Sequence, residues 1–453
     1  MGAGLEDNEF KIQMKSARGF ALGTYLEITD RKLYANLEVP KQLNLSNFNS
    51  GDKSRVTDLV HGTFRWQLFL KTVIEIAAKR SKDDIEKKLL SLLEMASYEI
   101  LFGKTTKEIL VSEWVNEAKK NLGIKYSGFT NAVLRRVSER NFEEWQQEIR
   151  ETYPGRLDLI WSCPAWIIDE FQKVIKSESE LIKLLAANNQ PPTLWKVNKT
   201  SKPNNLALAP TAQKLTSGEI YFNKNIKTIV PRVQDAASQA AAFLLANYLV
   251  DKNETDWLDT CAAPGGKTAT MAQVAPISQI KITAVDIHSH KEKLIKHNIR
   301  DFKNVEVLVG DSRLSPWKNK KFDRILIDAP CTGLGAIRRR SESRWQKKPI
   351  DVKDLVTNAK EIFHAAMNSI KPGGFIEYVV CSPILEETDD FVKWAMANYS
   401  NLEIISPDEY LSVFQSSDPL ALVEISEVGL RFWPQLHESD AMFVCLFKVK
   451  NGN

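Results

Sequence analysis

The stretch Trp257-Leu258-Asp259-Thr260-Cys261-Ala262-Ala263-Pro264-Gly265-Gly266-Lys267-Thr268 decides the reading of this chain. A short apolar run ends in an acid, a turn of small residues follows, and a helical pattern opens behind it. Strand, small-residue turn and helix together make the arrangement that cradles a nucleoside or a phosphate. Glycines let a ligand approach the backbone, and a helix N-terminus presents free amides. The four-residue spacer of a Walker A loop is missing between the glycines, which excludes that class of triphosphate loop. A Gly-Gly turn by itself is most often only a turn.

Spacing carries the argument outward. Asp286 closes the next apolar run, Ile282-Thr283-Ala284-Val285, 20 residues after Gly266. An acid at that place accepts hydrogen bonds from ribose hydroxyls. Asp311 follows Val305-Glu306-Val307-Leu308-Val309 and Gly310, where it can receive the exocyclic amine of an adenine, and Asp328 ends Ile325-Leu326-Ile327. Acids therefore stand at four successive strand ends, Asp259, Asp286, Asp311 and Asp328. That edge is where an open α/β sheet binds its ligand. One such acid would read as a helix N-cap, and Asp259 is equally suited to bracing its own turn. The pattern predicts a nucleoside-containing cofactor without a required triphosphate. NAD is the competitor, but GxGxxG is absent.

Short apolar runs alternate with helical segments from about 226 onward, through Phe375-Ile376-Glu377-Tyr378-Val379-Val380. They predict a doubly wound α/β domain over 226–453, with an antiparallel strand near Met442 to Val449 at its end. Residues 1–145 read as all-α instead. Apolar positions recur at three and four around Phe20, Leu59, Leu89 and Trp114, and Asn44 to Lys53 is a polar loop. Between them, 146–225 is mixed and punctuated by Pro154-Gly155, Pro164, Pro191-Pro192 and Pro203, which predicts a small α+β connecting domain.

The bulk numbers bound the partners. A chain of 453 residues with 43% hydrophobic and 26% charged content is an ordinary globular protein of two or three domains. A net charge of +4 is compatible with a polyanionic partner without requiring one. The N-terminal Met1-Gly2-Ala3-Gly4-Leu5-Glu6-Asp7 has no apolar signal region, and the longest apolar stretch, Ala240 to Val250, is too short to span a bilayer. A cytoplasmic protein with no membrane partner is expected. The five cysteines are odd in number, with no CxxC pair and no histidine in zinc-ligand spacing. Neither a disulfide framework nor a metal site is expected. Two of them, Cys331 in Asp328-Ala329-Pro330-Cys331 and Cys381 in Tyr378-Val379-Val380-Cys381-Ser382-Pro383, fall at neighbouring strand ends on the ligand edge. A lone thiol is usually a packing residue; two thiols meeting at that edge beside an acid point to chemistry.

Taken together, Asp259–Thr268 (DTCAAPGGKT), Asp328–Arg340 (DAPCTGLGAIRRR) and Tyr378–Pro383 (YVVCSP) resemble motifs I, IV and VI of the RNA 5-methylcytosine methyltransferases. The chain most resembles the bacterial RsmB (Sun/Fmu) family, which acts on small-subunit ribosomal RNA. Val233-Gln234-Asp235-Ala236-Ala237-Ser238-Gln239 is similar to the segment that opens its catalytic domain. Phe129-Thr130-Asn131-Ala132-Val133-Leu134-Arg135-Arg136 is similar to the closing helix of its NusB-like RNA-binding domain, and Arg431-Phe432-Trp433-Pro434 with His437-Glu438-Ser439-Asp440 to its C-terminal motif. The likeness covers nearly the whole chain.

That resemblance implies S-adenosyl-L-methionine as cofactor, held by Cys261, Ala262, Ala263, Pro264, Gly265, Gly266 and Lys267 with Asp286, Asp311 and Asp328, and RNA as substrate. A monomer is expected. It implies Cys381 as nucleophile, Cys331 as the group that assists release, and Asp328 at the cytosine edge. Lys267 either assists in the site or holds the turn. Arg338, Arg339, Arg340 and Arg344, with Lys347 and Lys348, follow motif IV where they can grip phosphates; Arg135, Arg136, Arg18, Arg55 and Arg65 are candidates in the helical domain. Trp66, Trp114, Trp166 and Trp195 read as packing residues. Val380, Glu387-Thr388 and Ala441-Met442 depart from the family's usual Thr, Glu-Asn and Gly-Phe, and none removes a catalytic group. Another RNA such as tRNA, a non-catalytic RNA-binding scaffold, and a DNA cytosine methyltransferase are the alternative readings.

Overall fold

The computed structural model describes residues 15–198, 209–215, 221–223, 228–230, 232–414 and 424–451. The acidic N-terminal stretch and Pro203 lie outside the described residues. The chain divides into two compact units: Met1–Asp169 with Ile337–Gln346, and Glu170–Ala336 with Lys347–Asn453.

The first unit is helical: α1 (Ala17–Arg31), α2 (Ala35–Asn44), α3 (Ser50–Ala78), α4 (Lys87–Phe102), α5 (Lys107–Asn121), α6 (Ser127–Ser138), α7 (Phe142–Thr152) and α8 (Leu157–Trp161). Its starts are chemically marked. Ser16 and Asn49 cap α1 and α3 by accepting N–H groups of the first turn, and Asn141 and Glu144 form a reciprocal capping box at α7. The long α3 carries the core through Val56, Leu59, Val60, Phe69, Leu70 and Val73, all nearly inaccessible. Trp66 and Trp114 are buried packing residues as expected, and the Trp114 indole donates to Glu99 at 2.7 Å.

Ile337–Gln346 packs inside this helical unit although it follows motif IV in sequence. The Trp345 indole donates to the Phe64 carbonyl at 2.7 Å, and Gln346 donates to the Leu33 carbonyl at 3.2 Å. Arg344 donates to the carbonyls of Ser162 (3.0 Å) and Arg65 (3.4 Å).

After α9 (Ala165–Val174) and α10 (Glu178–Asn188), the chain enters short antiparallel pairs, β1 (Trp195–Val197) with β2 (Ala212–Lys214) and β3 (Tyr221–Asn223) with β4 (Thr228–Val230). Then α11 (Ala236–Asn247) opens the α/β part, capped by Asp235. Its small residues Ala236, Ala237, Ala240 and Ala241 are buried and let the helix lie close on the sheet. The sheet elements follow as β5 (Asp256–Asp259), α12 (Gly266–Val274), β6 (Lys281–Asp286), α13 (Glu292–Asn298), β7 (Val305–Val309) and β8 (Phe322–Asp328). The short α14 (Ser343–Gln346) belongs to the helical unit. Next come α15 (Pro349–Met367), β9 (Ile370–Val380), α16 (Asp389–Asn398), β10 (Leu402–Ile404), β11 (Glu424–Ile425), β12 (Leu430–Phe432) and β13 (Met442–Val449).

Among the described residues one nine-stranded sheet runs in the order β11-β12-β13-β9-β8-β5-β6-β7, with β10 also paired to β13. From β9 to β7 the strands are parallel, and β13 runs antiparallel to β9 as the sequence predicts, but it does not end the sheet, because β12 and β11 continue beyond it. Strand order reverses between β5 and β8, so the crevice beyond their carboxyl ends is the switch point where doubly wound sheets bind ligands.

A buried ion pair ties the base of this sheet to α11. Arg324 on β8 is fully buried and grips Glu254 through Nε and Nη2 at 2.7 and 2.8 Å, while its Nη1 donates to the Leu245 carbonyl at 2.6 Å. The Trp257 indole donates to the same carboxylate at 2.8 Å. Removing one member strands the other as a buried charge, so Arg324→Met is expected to destabilise the fold by about 3–5 kcal/mol in urea unfolding.

Candidate active site

Motif I is built as strand end, turn and helix start. Asp259, at the end of β5, is 1% exposed. Its carboxylate accepts the Thr268 hydroxyl at 2.6 Å and the Cys261 N–H at 3.3 Å, so it braces the turn from inside. The Ala262 N–H reaches the Val285 carbonyl at 2.8 Å, and the Pro264 carbonyl accepts from Asn298 at 2.8 Å. Gly265 has φ of +102°, and a Cβ there would stand 3.2 Å from the Ile295 backbone, so the turn is tolerant only of glycine. Gly266 begins α12, and a Cβ on it would meet the Gln234 side chain at 3.4 Å.

Burial pushes the Asp259 carboxyl up to about 7, opposed by the Thr268 hydroxyl and supported by Asp328. Between the usual carboxyl value of 3.8 and about 7 the folded chain therefore holds a proton that the unfolded chain releases. Stability falls as pH rises through that window and is level above it. Asp259→Asn keeps an acceptor for Cys261 and a partner for Thr268, so its unfolding free energy should lose a pH slope of up to about 4 kcal/mol across pH 4–7. Parallel urea titrations at several pH values check this.

The remaining strand-end acids differ in their surroundings. Asp286 is 8% exposed and accepts the Ala263 N–H at 3.1 Å and the His288 N–H at 2.9 Å, one on each oxygen. Each oxygen keeps a lone pair for a ligand hydroxyl. Asp311 caps a single 3-10 turn and pairs with Arg313 at 2.7 Å, whose guanidinium holds its carboxyl below the usual range. Ile287 and Val309 stand exposed beside Asp286 and Asp311. Carboxylates flanked by accessible aliphatic side chains, next to a helix N-terminus, fit a nucleoside cofactor with a hydrophobic ring and a polar sugar.

Asp328, at the end of β8, bonds the Lys267 ammonium at 2.7 Å. Burial pulls Lys267 down, but Asp328 and, further off, Cys381 outweigh it, so the ammonium is held above its ordinary value. Cys331 and Cys381 are brought together with their sulfur atoms 3.5 Å apart, both free and half-buried. The hydrogen bond to Cys381, and then burial, hold the Cys331 thiol well above the usual thiol range. Cys331 thus keeps its proton, and the Lys267 ammonium interacts electrostatically with the neighbouring Cys381. Cys261 in motif I is pushed up by burial.

The basic residues are distributed otherwise than the sequence predicts. Arg338 and Arg344 are 5% and 1% exposed within the helical unit, because the segment after motif IV packs there rather than on a solvated face. The two are therefore not presented to phosphates. Arg339 is half-buried, and Arg340 is exposed above the Tyr34 ring at 5.7 Å. Arg135 and Arg136 are exposed on α6, where Arg136 donates to the Ala77 carbonyl. Arg18 is committed to Glu99 through two hydrogen bonds, and Arg65 is buried. Sequence reasoning gave no role to Gly335 or to the pair Thr332–Glu387. The Gly335 N–H donates to the Cys381 carbonyl at 2.9 Å, and Thr332 bonds Glu387 twice. Among the described residues no cluster of metal-ligating side chains is present, and no helix is long and apolar enough to cross a membrane.

Comparisons with known proteins agree with this construction. Residues 246–448 match the model of the 16S rRNA methyltransferase RsmB/F family, and residues 15–139 match the NusB family. A Mycobacterium tuberculosis protein described as a methyltransferase is 32% identical over 95% of this chain and 96% of its own length. The ribosomal RNA small subunit methyltransferase B of Escherichia coli is 28% identical over 82% of this chain and 87% of its own. The crystal structure of PH0851 superposes over 96% of this chain and all of its own with a TM-score of 0.69 at 20% identity, a likeness of fold.

Proposed function

The chain belongs to the RsmB/F family of 16S rRNA methyltransferases and is an S-adenosylmethionine-dependent RNA methyltransferase, and we propose that it methylates carbon 5 of a cytosine in small-subunit ribosomal RNA through a covalent adduct on Cys381. The observation that carries the proposal is the pair of free thiols 3.5 Å apart beside the Lys267–Asp328 pair at the switch point of the sheet. Asp286 and Asp311, with the motif I turn from Cys261 to Lys267, are the residues that would hold the cofactor. When bound, S-adenosylmethionine supplies an electrophilic methyl group.

Carbon 5 of cytosine is too electron-poor to take that methyl unaided. The Cys381 thiolate adds to carbon 6, forming a sulfur–carbon bond and sending an electron pair toward carbon 5, which becomes a nucleophile. In this reading Asp328 holds the ring-nitrogen edge of the base and, as general acid, donates a proton to nitrogen 3 as the charge builds on the ring, taking it back when the thiolate leaves. After methylation the proton on carbon 5 passes to solvent water, its electron pair forms the carbon 5–carbon 6 double bond, and the Cys381–carbon 6 bond breaks with its electron pair leaving on sulfur. Cys331, still protonated and in contact with the Cys381 sulfur, assists that last step. Such a site cannot reach a base stacked in a helix, so the target is single-stranded or flipped out. The names of relatives across 76–87% of this chain, small subunit methyltransferase B, support ribosomal RNA as substrate.

Transfer of labelled methyl from S-adenosylmethionine to ribosomal RNA lacking its 5-methylcytosines tests the reading. Label mapping to one cytosine at carbon 5 supports it. Label on another atom, or on transfer RNA alone, overturns the corresponding part.

A further inference from the structure

The two thiols lie on separate turns, and something must set their separation. Cys331 sits in the turn that leaves β8, and Cys381 follows β9, the neighbouring parallel strand. The residue after each thiol is buried and polar: Thr332 is 2% exposed and Ser382 is inaccessible. Both converge on one carboxylate. Glu387, 2% exposed, accepts the Thr332 N–H on Oε1 at 2.6 Å and the Thr332 hydroxyl on Oε2 at 2.7 Å. The Thr332 and Ser382 hydroxyl oxygens are 3.2 Å apart, and Ser382 Oγ accepts the Ile384 N–H at 3.2 Å.

Glu387 is itself fixed from behind. Its carbonyl accepts the Tyr378 hydroxyl at 2.8 Å, and the Tyr378 ring stacks on Phe391 at 3.9 Å with planes 6° apart. Its N–H reaches the Ile384 carbonyl at 3.1 Å. The carboxylate thus joins β9 and the segment after it to the Cys331 turn at Thr332, beside the backbone bond from Gly335 to Cys381.

We propose that Glu387 is a positioning residue that clamps the Cys331 turn to the Cys381 turn and thereby fixes the separation of the two sulfur atoms. It touches neither thiol; it acts through Thr332 and Ser382. The consequence for the reaction rests on the two-cysteine reading given above. Cys331 must reach the adduct while Cys381 is bonded to the base, and a loosened turn slows release more than attack.

The first test does not depend on methylation. Diamide oxidises neighbouring thiols to a disulfide and is itself reduced to the hydrazine, so the rate of Cys331–Cys381 cross-linking, read by peptide mass spectrometry, reports how the turns are held. Glu387→Ala should change that rate by at least about tenfold. Glu387→Gln, whose carbonyl still accepts from the Thr332 N–H and whose amide can donate to its hydroxyl, should stay within about threefold of the unaltered protein. Cross-linking of Glu387→Ala at the unaltered rate overturns the proposal. Should Glu387→Ala fail to fold, Glu387→Gln and Thr332→Val decide. A near-normal rate in Glu387→Gln with a tenfold change in Thr332→Val upholds the clamp; an unchanged Thr332→Val overturns it.

The second test follows RNA, with S-adenosylmethionine present. Glu387→Ala should accumulate the covalent protein–RNA adduct as Cys331→Ala does, with kcat lowered about 10- to 100-fold and KM for S-adenosylmethionine unchanged. Adduct in Cys331→Ala but none in Glu387→Ala counts against the clamp. No adduct in Cys331→Ala counts against the two-cysteine reading and leaves the clamp to be judged by cross-linking.

Discussion

Cys381→Ala is expected to lower methyl transfer by about 10⁴-fold or more, because it removes the nucleophile on which the reaction runs. Cys331→Ala should behave differently. It leaves attack at carbon 6 intact and removes the proton-bearing neighbour needed for release, so a covalent protein–RNA complex should persist on denaturing gels while turnover stops. The asymmetry follows from the pair's geometry. At 3.5 Å only one sulfur can carry negative charge at low cost, and Cys331, whose thiol is held well above the usual range, is the one that keeps its proton. The Lys267 ammonium interacts electrostatically with Cys381. Adduct retained in Cys381→Ala and lost in Cys331→Ala would reverse the assignment and match the alternative in which the motif IV cysteine attacks.

What the sequence made legible was what is local. Each strand-end acid lies within a few residues of the apolar run that carries it, so Asp259, Asp286, Asp311 and Asp328 could be placed on one edge from spacing alone. The meeting of Cys331 and Cys381 followed from two strands being neighbours. The roles within that edge were less legible, because they depend on contacts distant in sequence or on a neighbour's side chain. Asp259 faces inward to Thr268, and Asp311 is engaged by Arg313. The run Arg338-Arg339-Arg340 read as a phosphate-gripping stretch, since charge density says nothing of which unit a segment joins. Packing of Ile337–Gln346 in the helical unit buries Arg338 and Arg344 among groups some 180 or more positions away, including Ser162 and Arg65. Glu387 was named from the sequence only together with Thr388, and its role was hidden for a related reason. Two consecutive glutamates before an Asp-rich helix start look solvated, and only the fold turns one of them under the thiols.

Gly335→Ala is the other change expected to be near-complete in effect. The glycine passes between two backbone segments: its N–H donates to the Cys381 carbonyl at 2.9 Å, and its carbonyl accepts the Ala441 N–H at 2.9 Å. A Cβ there would fall 1.9 Å from the Ala441 carbonyl oxygen and 2.9 Å from the Cys381 carbonyl carbon. Neither obstacle is a side chain that can swing aside. One segment leads directly into β13, and the other carries the nucleophile, so the methyl group must push Cys381, Ala441 or the whole motif IV turn. Displacement of a reacting group by about 1 Å costs roughly 100-fold in rate. Strain against two backbones adds a stability loss of about 3 kcal/mol or more. The expected result is a chain whose S-adenosylmethionine affinity survives, because motif I lies on β5 and α12, while methyl transfer falls at least about 100-fold and the 3.5 Å thiol pair no longer cross-links at its normal rate. Isothermal titration with the cofactor, methyl-transfer kinetics and diamide cross-linking together check it. Normal transfer by Gly335→Ala would mean that the motif IV turn can yield without disturbing Cys381, and the rigid seat assigned here to the nucleophile would have to be given up.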